Sequence, residues 1–104
     1  MSEKPLRVAA EARQEIRDAA LWYDGQRPGL GDAFVAAVDD ALSRMVRLGP
    51  ECRPAMGVAP ELQVRRILVR RFPYLVVFVE LPRVIRVLAV SHVRRRPGYW
   101  KKRL

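Results

Sequence analysis

The apolar residues of this chain change their spacing partway along, from intervals of three and four to an interval of two, and that switch decides its fold class. From Ala12 to Leu48 they recur at helical spacing, whereas from Val64 to Ser91 they alternate. A helix buries a stripe and a strand buries one face, so helices followed by strands predict an α+β arrangement, with the helices gathered on one face of a mainly antiparallel sheet.

The individual elements follow from this pattern. Pro5 to Ala9 reads as a short first strand, which must pair with later strands because an isolated one leaves its backbone groups unsatisfied. Ala12, Ile16, Ala19 and Tyr23 mark one face of a helix over Ala10 to Gln26, with Glu11 and Glu15 near the positive end of its dipole. Pro28-Gly29-Leu30-Gly31 has the chemistry of a tight connection. Phe34, Val38, Ala41, Met45 and Leu48 then form the seam of a second helix, ended by Gly49-Pro50, and the two helices are expected to make an antiparallel hairpin. Residues 51 to 62, with Pro54, Gly57 and Pro60, read as a loop. Three strands follow, Val64 to Val69, Tyr74 to Glu80 and Val84 to Ser91, with Leu81-Pro82-Arg83 as the last turn of a meander and a short C-terminal tail after it. Residues 1 to 104 read as one domain without internal repeats.

Composition removes several classes of function. Half the residues are hydrophobic, enough to close a core. No run approaches the roughly 18 apolar residues that span a bilayer, and Glu3, Lys4 and Arg7 stand where a signal peptide would be apolar, so a cytoplasmic protein without a membrane partner is expected. The single cysteine, Cys52, permits no intramolecular disulfide and no thiolate cluster, and reads as a buried, inert thiol. There is no phosphate loop, dinucleotide turn, metal-ligand spacing or activated nucleophile, so neither a cofactor nor a metal is expected.

The net charge of +9 is unevenly placed. Residues 1 to 52 carry seven Lys or Arg against nine Asp or Glu, while residues 53 to 104 carry thirteen against two. This asymmetry predicts a surface for a polyanion or an acidic protein, and the excess of Arg over Lys suits forked contacts to phosphate or carboxylate. Two groups stand out. Ser91 to Arg103 combines His92, Arg94, Arg95, Arg96, Tyr99 and Trp100, a mixture suited to single-stranded nucleic acid or to an acidic protein. Arg65, Arg66, Arg70 and Arg71 form the second, and alternation puts Arg66 and Arg70 on one face with Arg65 and Arg71 on the other, so some must face solvent or pair with helix carboxylates such as Asp39 and Asp40. His92 is also a candidate general acid or base.

Trp22-Tyr23, Pro28-Gly29-Leu30-Gly31 before Phe34, Val64-Arg65-Arg66, Arg71-Phe72-Pro73-Tyr74, Leu88-Ala89-Val90-Ser91-His92 and Pro97-Gly98-Tyr99-Trp100 together resemble the RelE/ParE superfamily of type II toxins over nearly the whole chain. The resemblance implies a growth-inhibiting toxin neutralised by a small co-encoded antitoxin, expected here to be acidic and to lie against the helical hairpin or the sheet edge. A homo-oligomer stays open. RelE-like members cut mRNA on the ribosome with basic residues and a C-terminal tyrosine; ParE-like members lack that set and inhibit DNA gyrase. Arg66 and Tyr99 fall where the ribonuclease pattern expects them, whereas Leu68, Leu75 and Val93 stand where it needs cations. The resemblance therefore leans to gyrase inhibition by binding through Arg65, Arg66, Arg70, Arg71, Arg94, Arg95, Arg96 and Trp100. The alternatives are a metal-independent mRNA endonuclease, with His92 and Tyr99 moving protons, and a non-toxic antitoxin- or nucleic-acid-binding module.

Overall fold

The stripe of Ala12, Ile16, Ala19 and Tyr23 does form the inner face of a helix, and the computed structural model shows what it packs against. Residues 4–104 are described; Glu3 lies outside them. In chain order the elements are β1 (Leu6–Val8), α1 (Ala10–Gln26), α2 (Leu30–Leu48), β2 (Arg53–Pro54), β3 (Val64–Leu68), β4 (Tyr74–Glu80) and β5 (Ile85–His92), with short 3-10 turns at Gly49–Glu51, Pro60–Leu62 and Tyr99–Arg103. The strands form one sheet in the order β1-β5-β4-β3-β2. β1 runs parallel to β5, with Leu6 opposite Ile85, and the other neighbours are antiparallel.

The hairpin of α1 and α2 covers one face of this sheet. Phe34, Val38, Ala41 and Met45 from α2 meet Val76, Phe78, Val87 and Val90 from the strands. Tyr23, Phe34, Phe72 and Tyr74 interlock, with Tyr23 and Phe34 stacked at 5.4 Å between ring centres and Phe34 edge-on to Phe72 at 5.2 Å. Each buried aromatic of this kind contributes about 1.5–3 kcal/mol by leaving water. Leu48, expected at the end of the α2 seam, is exposed, because it is the last residue before the Gly49 exit and lies outside the buried cluster.

The helix connection depends on two glycines for different reasons. Gly29 adopts φ of 90°, which a side chain would resist. Gly31 sits where a Cβ would strike the Ala20 carbonyl oxygen and the Asp24 side chain, and its N–H donates to Asp24 Oδ1 at 2.7 Å. That bond satisfies one of the open donors at the start of α2.

Four further expectations need correction. The segment 51–62 is not simply a loop, since Arg53 and Pro54 add a two-residue edge strand to β3 and the sheet becomes five-stranded and mixed. β3 stops at Leu68, not Val69, because the chain turns through Arg71 at φ of 74°. β5 starts at Ile85 because the Val84 carbonyl is used by Leu81 N–H in the preceding turn, and it runs on to His92. The C-terminal tail folds into the Tyr99–Arg103 turn against the sheet's other face, where Trp100 joins Val64, Val77, Val79, Leu88 and Ala89 in a second core.

Placing a methyl at Gly31 overpacks the helix crossing, so Gly31→Ala should lower the unfolding free energy by about 1–3 kcal/mol. Gly25→Ala, in a helical site with open space around it, should raise it by about 0.4–1 kcal/mol. Urea unfolding at neutral pH, read at constant slope, checks both.

Candidate functional site

Past Val87, β1 no longer covers the edge of β5, and that edge is closed by a side chain of α1. Glu15 Oε1 accepts from Val90 N–H at 3.0 Å and from Arg103 Nη1 at 3.0 Å, while its Oε2 accepts from the Tyr99 hydroxyl and, at 3.4 Å, from Arg95 Nη1. Arg103 also donates to the Leu88 carbonyl at 3.0 Å. Leu88 is the extra residue of a bulge, because Phe78 pairs with Val87 and Val77 with Ala89. The Arg95 guanidinium lies 3.7 Å from the centre of the Tyr99 ring. Burial pushes the Tyr99 phenol above its ordinary value, and its bond to Glu15 pushes the same way.

This knot holds the C-terminal segment over the face of the sheet that the helices leave open. On that face lie Arg66 and Leu68 of β3, Leu75 and Val77 of β4, and Ser91 of β5, fixed by the registers Arg66 to Val77, Leu68 to Leu75 and Leu75 to Ser91. The segment Val93 to Trp100 walls one side, and Arg53, Ala55 and Met56 wall the other, leaving a groove of about 620 Å³. The walls meet where Gly57 and Gly98, both at φ of 83°, press together so closely that a Cβ on Gly57 would come within 2.6 Å of Pro97. The floor is aliphatic. Leu68 is 53% exposed, Val93 46% and Met56 66%.

His92 lines the groove, but one ring nitrogen is already engaged: Nδ1 accepts from Arg94 N–H at 3.0 Å. The neutral imidazole therefore carries its proton on Nε2 and offers a donor there, not a base. Tyr74 packs edge-on to the ring at 5.2 Å.

The other sequence-predicted residues divide among separate places. Arg66 faces the groove, its Nε donating to the Pro54 carbonyl at 3.3 Å, while Arg65 turns under the sheet and donates to the Cys52 carbonyl at 3.0 Å. Arg70 stands 3.8 Å from Asp40, one of the helix carboxylates named from sequence. Arg71 occupies the tip of the β3–β4 turn, and since both Arg70 and Arg71 lie beyond the strand end at Leu68, the alternation reaches neither. Arg94 and Arg96 are exposed in the turn after β5. Trp100 is only 3% exposed and is core.

Three residues escaped sequence reasoning. Glu15 read only as a dipole charge; Arg44, buried, bonds Asp40 at 2.8 Å and the Leu68 carbonyl at 2.9 Å; Arg53 stood in a segment read as loop. No periodicity marks any of them. Cys52 is buried, and burial raises its thiol, which suits an inert role. Among the described residues there is no group of three or more His, Cys, Asp or Glu placed to hold a metal, and no helix is long and apolar enough to cross a membrane.

No family model matches the chain, and no curated protein matches it. Among solved structures, a chain described as the chromosomal ParDE TA system from P. aeruginosa superposes with a TM-score of 0.73 at 14% identity, over 86% of this chain and 96% of that one. The chain thus has the RelE/ParE-like fold.

Tyr99→Phe removes a hydrogen bond to an ionised group and should cost about 1–3 kcal/mol of stability near neutral pH. Because the folded state raises the phenol above 10.0, its contribution is whole below that value and fades as pH rises through the higher folded one. The difference between wild type and variant in urea unfolding should therefore shrink at alkaline pH.

Proposed function

We propose that this protein is the toxin of a type II toxin–antitoxin module, acting in the cytoplasm by binding rather than by chemistry, with DNA gyrase as the target and an acidic antitoxin as its neutralising partner. The observation that carries the reading is that neither candidate offers the groove a proton acceptor: the Tyr99 hydroxyl is given to Glu15, and the acceptor nitrogen of His92, Nδ1, is occupied by Arg94 N–H. Cleavage of RNA by its own 2′-hydroxyl needs a proton acceptor, a proton donor and cations around the developing charge. Leu68, Leu75 and Val93 bring aliphatic surface to that place.

The solved structure whose fold this chain shares is described as a ParDE TA system, which supports the toxin–antitoxin assignment. The charge supports the partner. Thirteen cations against two carboxylates in residues 53 to 104 favour an acidic segment that orders on binding.

The purified chain should inhibit gyrase supercoiling, release it when the adjacent-encoded antitoxin is added, and leave mRNA intact on translating ribosomes. Unchanged supercoiling at high excess, with ribosome-dependent cleavage of mRNA, would replace this reading by the endonuclease one. Neither effect would leave a binding module without toxic activity.

A further inference from the structure

Across the short pairing of β2 with β3, Arg53 stands directly opposite Arg66. Both line the groove, and among the described residues neither has a carboxylate partner. Like charges directly opposite on neighbouring strands repel, and in most sheets such a position carries a neutral or opposite partner. A two-residue strand held at this register, with two guanidiniums at one wall of a groove, is a place where an anion relieves the repulsion by accepting from both forks.

The floor beside the pair decides what kind of anion. Leu68, Leu75 and Val77 offer an aliphatic surface, and Met56 overhangs it as an adaptable apolar wall. Nucleic acid would bring bases that need exposed aromatic faces to stack on. Trp100 is buried in the second core, and the Tyr99 ring is covered by Arg95. Where β2 and β1 leave the edges of β3 and β5 uncovered, strand addition is also obstructed, since Arg44 occupies the Leu68 carbonyl of β3 and Glu15 and Arg103 take Val90 N–H and the Leu88 carbonyl of β5.

We infer that the groove takes an acidic, aliphatic peptide segment, with a carboxylate between Arg53 and Arg66 and an aliphatic side chain on Leu68, Leu75 and Val77. The inference rests on the reading of the chain as a protein that binds protein partners, and it locates one such contact on the open face of the sheet, beside the C-terminal end of α2, whose Arg44 and Leu48 also line the groove. The groove volume, about 620 Å³, lies within the roughly 300–1,000 Å³ of ordinary ligand pockets and suits a few side chains of an extended segment.

Fluorescence anisotropy of the full chain with a labelled peptide of alternating Leu and Glu tests it. The peptide should bind, and both Arg53→Gln with Arg66→Gln and Leu68→Asp should weaken it about tenfold or more. An oligoglutamate of equal charge should bind at least about tenfold more weakly, because it lacks the aliphatic anchor. Melting temperatures no lower than wild type for the arginine variant would show that the loss is one of binding. The inference is overturned if the Leu–Glu peptide does not bind, if the variants bind it as wild type does, or if a single-stranded RNA of equal charge displaces it from the groove. Peptide binding lost while gyrase inhibition persists removes this inference alone; peptide binding without gyrase inhibition removes the proposed target and leaves the groove.

Discussion

One carboxylate, that of Glu15, joins the three parts of this molecule. Its two oxygens receive a backbone N–H from β5, a guanidinium and a hydroxyl from the C-terminal turn, and a second guanidinium from the segment between. The side chain is only 14% exposed, so an unpaired charge there would be expensive, and its donors satisfy it. Everything on the open face follows from this attachment. With the Tyr99–Arg103 turn held against the sheet, Trp100 closes the second core, and the segment before it becomes a wall of the groove.

The strongly basic half also avoids a uniformly basic surface. Arg65 and Arg103 turn their charge inward onto the backbone carbonyls of Cys52 and Leu88, as Arg44 of the first half does onto that of Leu68. Arg95 lies across an aromatic ring. The cations left for a partner are fewer than the total suggests and are sorted by position: Arg53 and Arg66 at the groove, Arg71 at a turn tip, Arg83 in the β4–β5 turn, Arg94 and Arg96 beyond β5, and Lys101 and Lys102 in the C-terminal turn. A count of charges therefore overstates the electrostatic footprint, and the placement of each guanidinium refines it.

Much of the fold was legible because periodicity reports burial. The face of α1, most of the α2 seam and the three long strands were each visible in residue spacing, and the helix connection in its Pro and Gly residues. β2 was not, since two residues, one of them proline, carry no period. The site was half legible. Alternation correctly separates Arg65 from Arg66, but it cannot show that Tyr99 meets Glu15 or that Arg53 faces Arg66, because those contacts join segments whose pairing depends on the finished sheet. His92 read as a candidate acid or base from its identity, while its tautomer depends on a turn that places Arg94 N–H beside Nδ1.

The parallel pairing of β1 with β5 has a kinetic side. Leu6 lies opposite Ile85, and Glu15 and Arg103 are 88 residues apart in a chain of 104. Contacts of such sequence separation require the closure of nearly the whole chain, and high contact order slows folding relative to a helical bundle of the same size. While it is being synthesised, the chain therefore consists of two amphipathic helices whose sheet does not yet exist. Their apolar faces are not fully covered until β5 has been made, which leaves that interval exposed to aggregation or to capture by another protein.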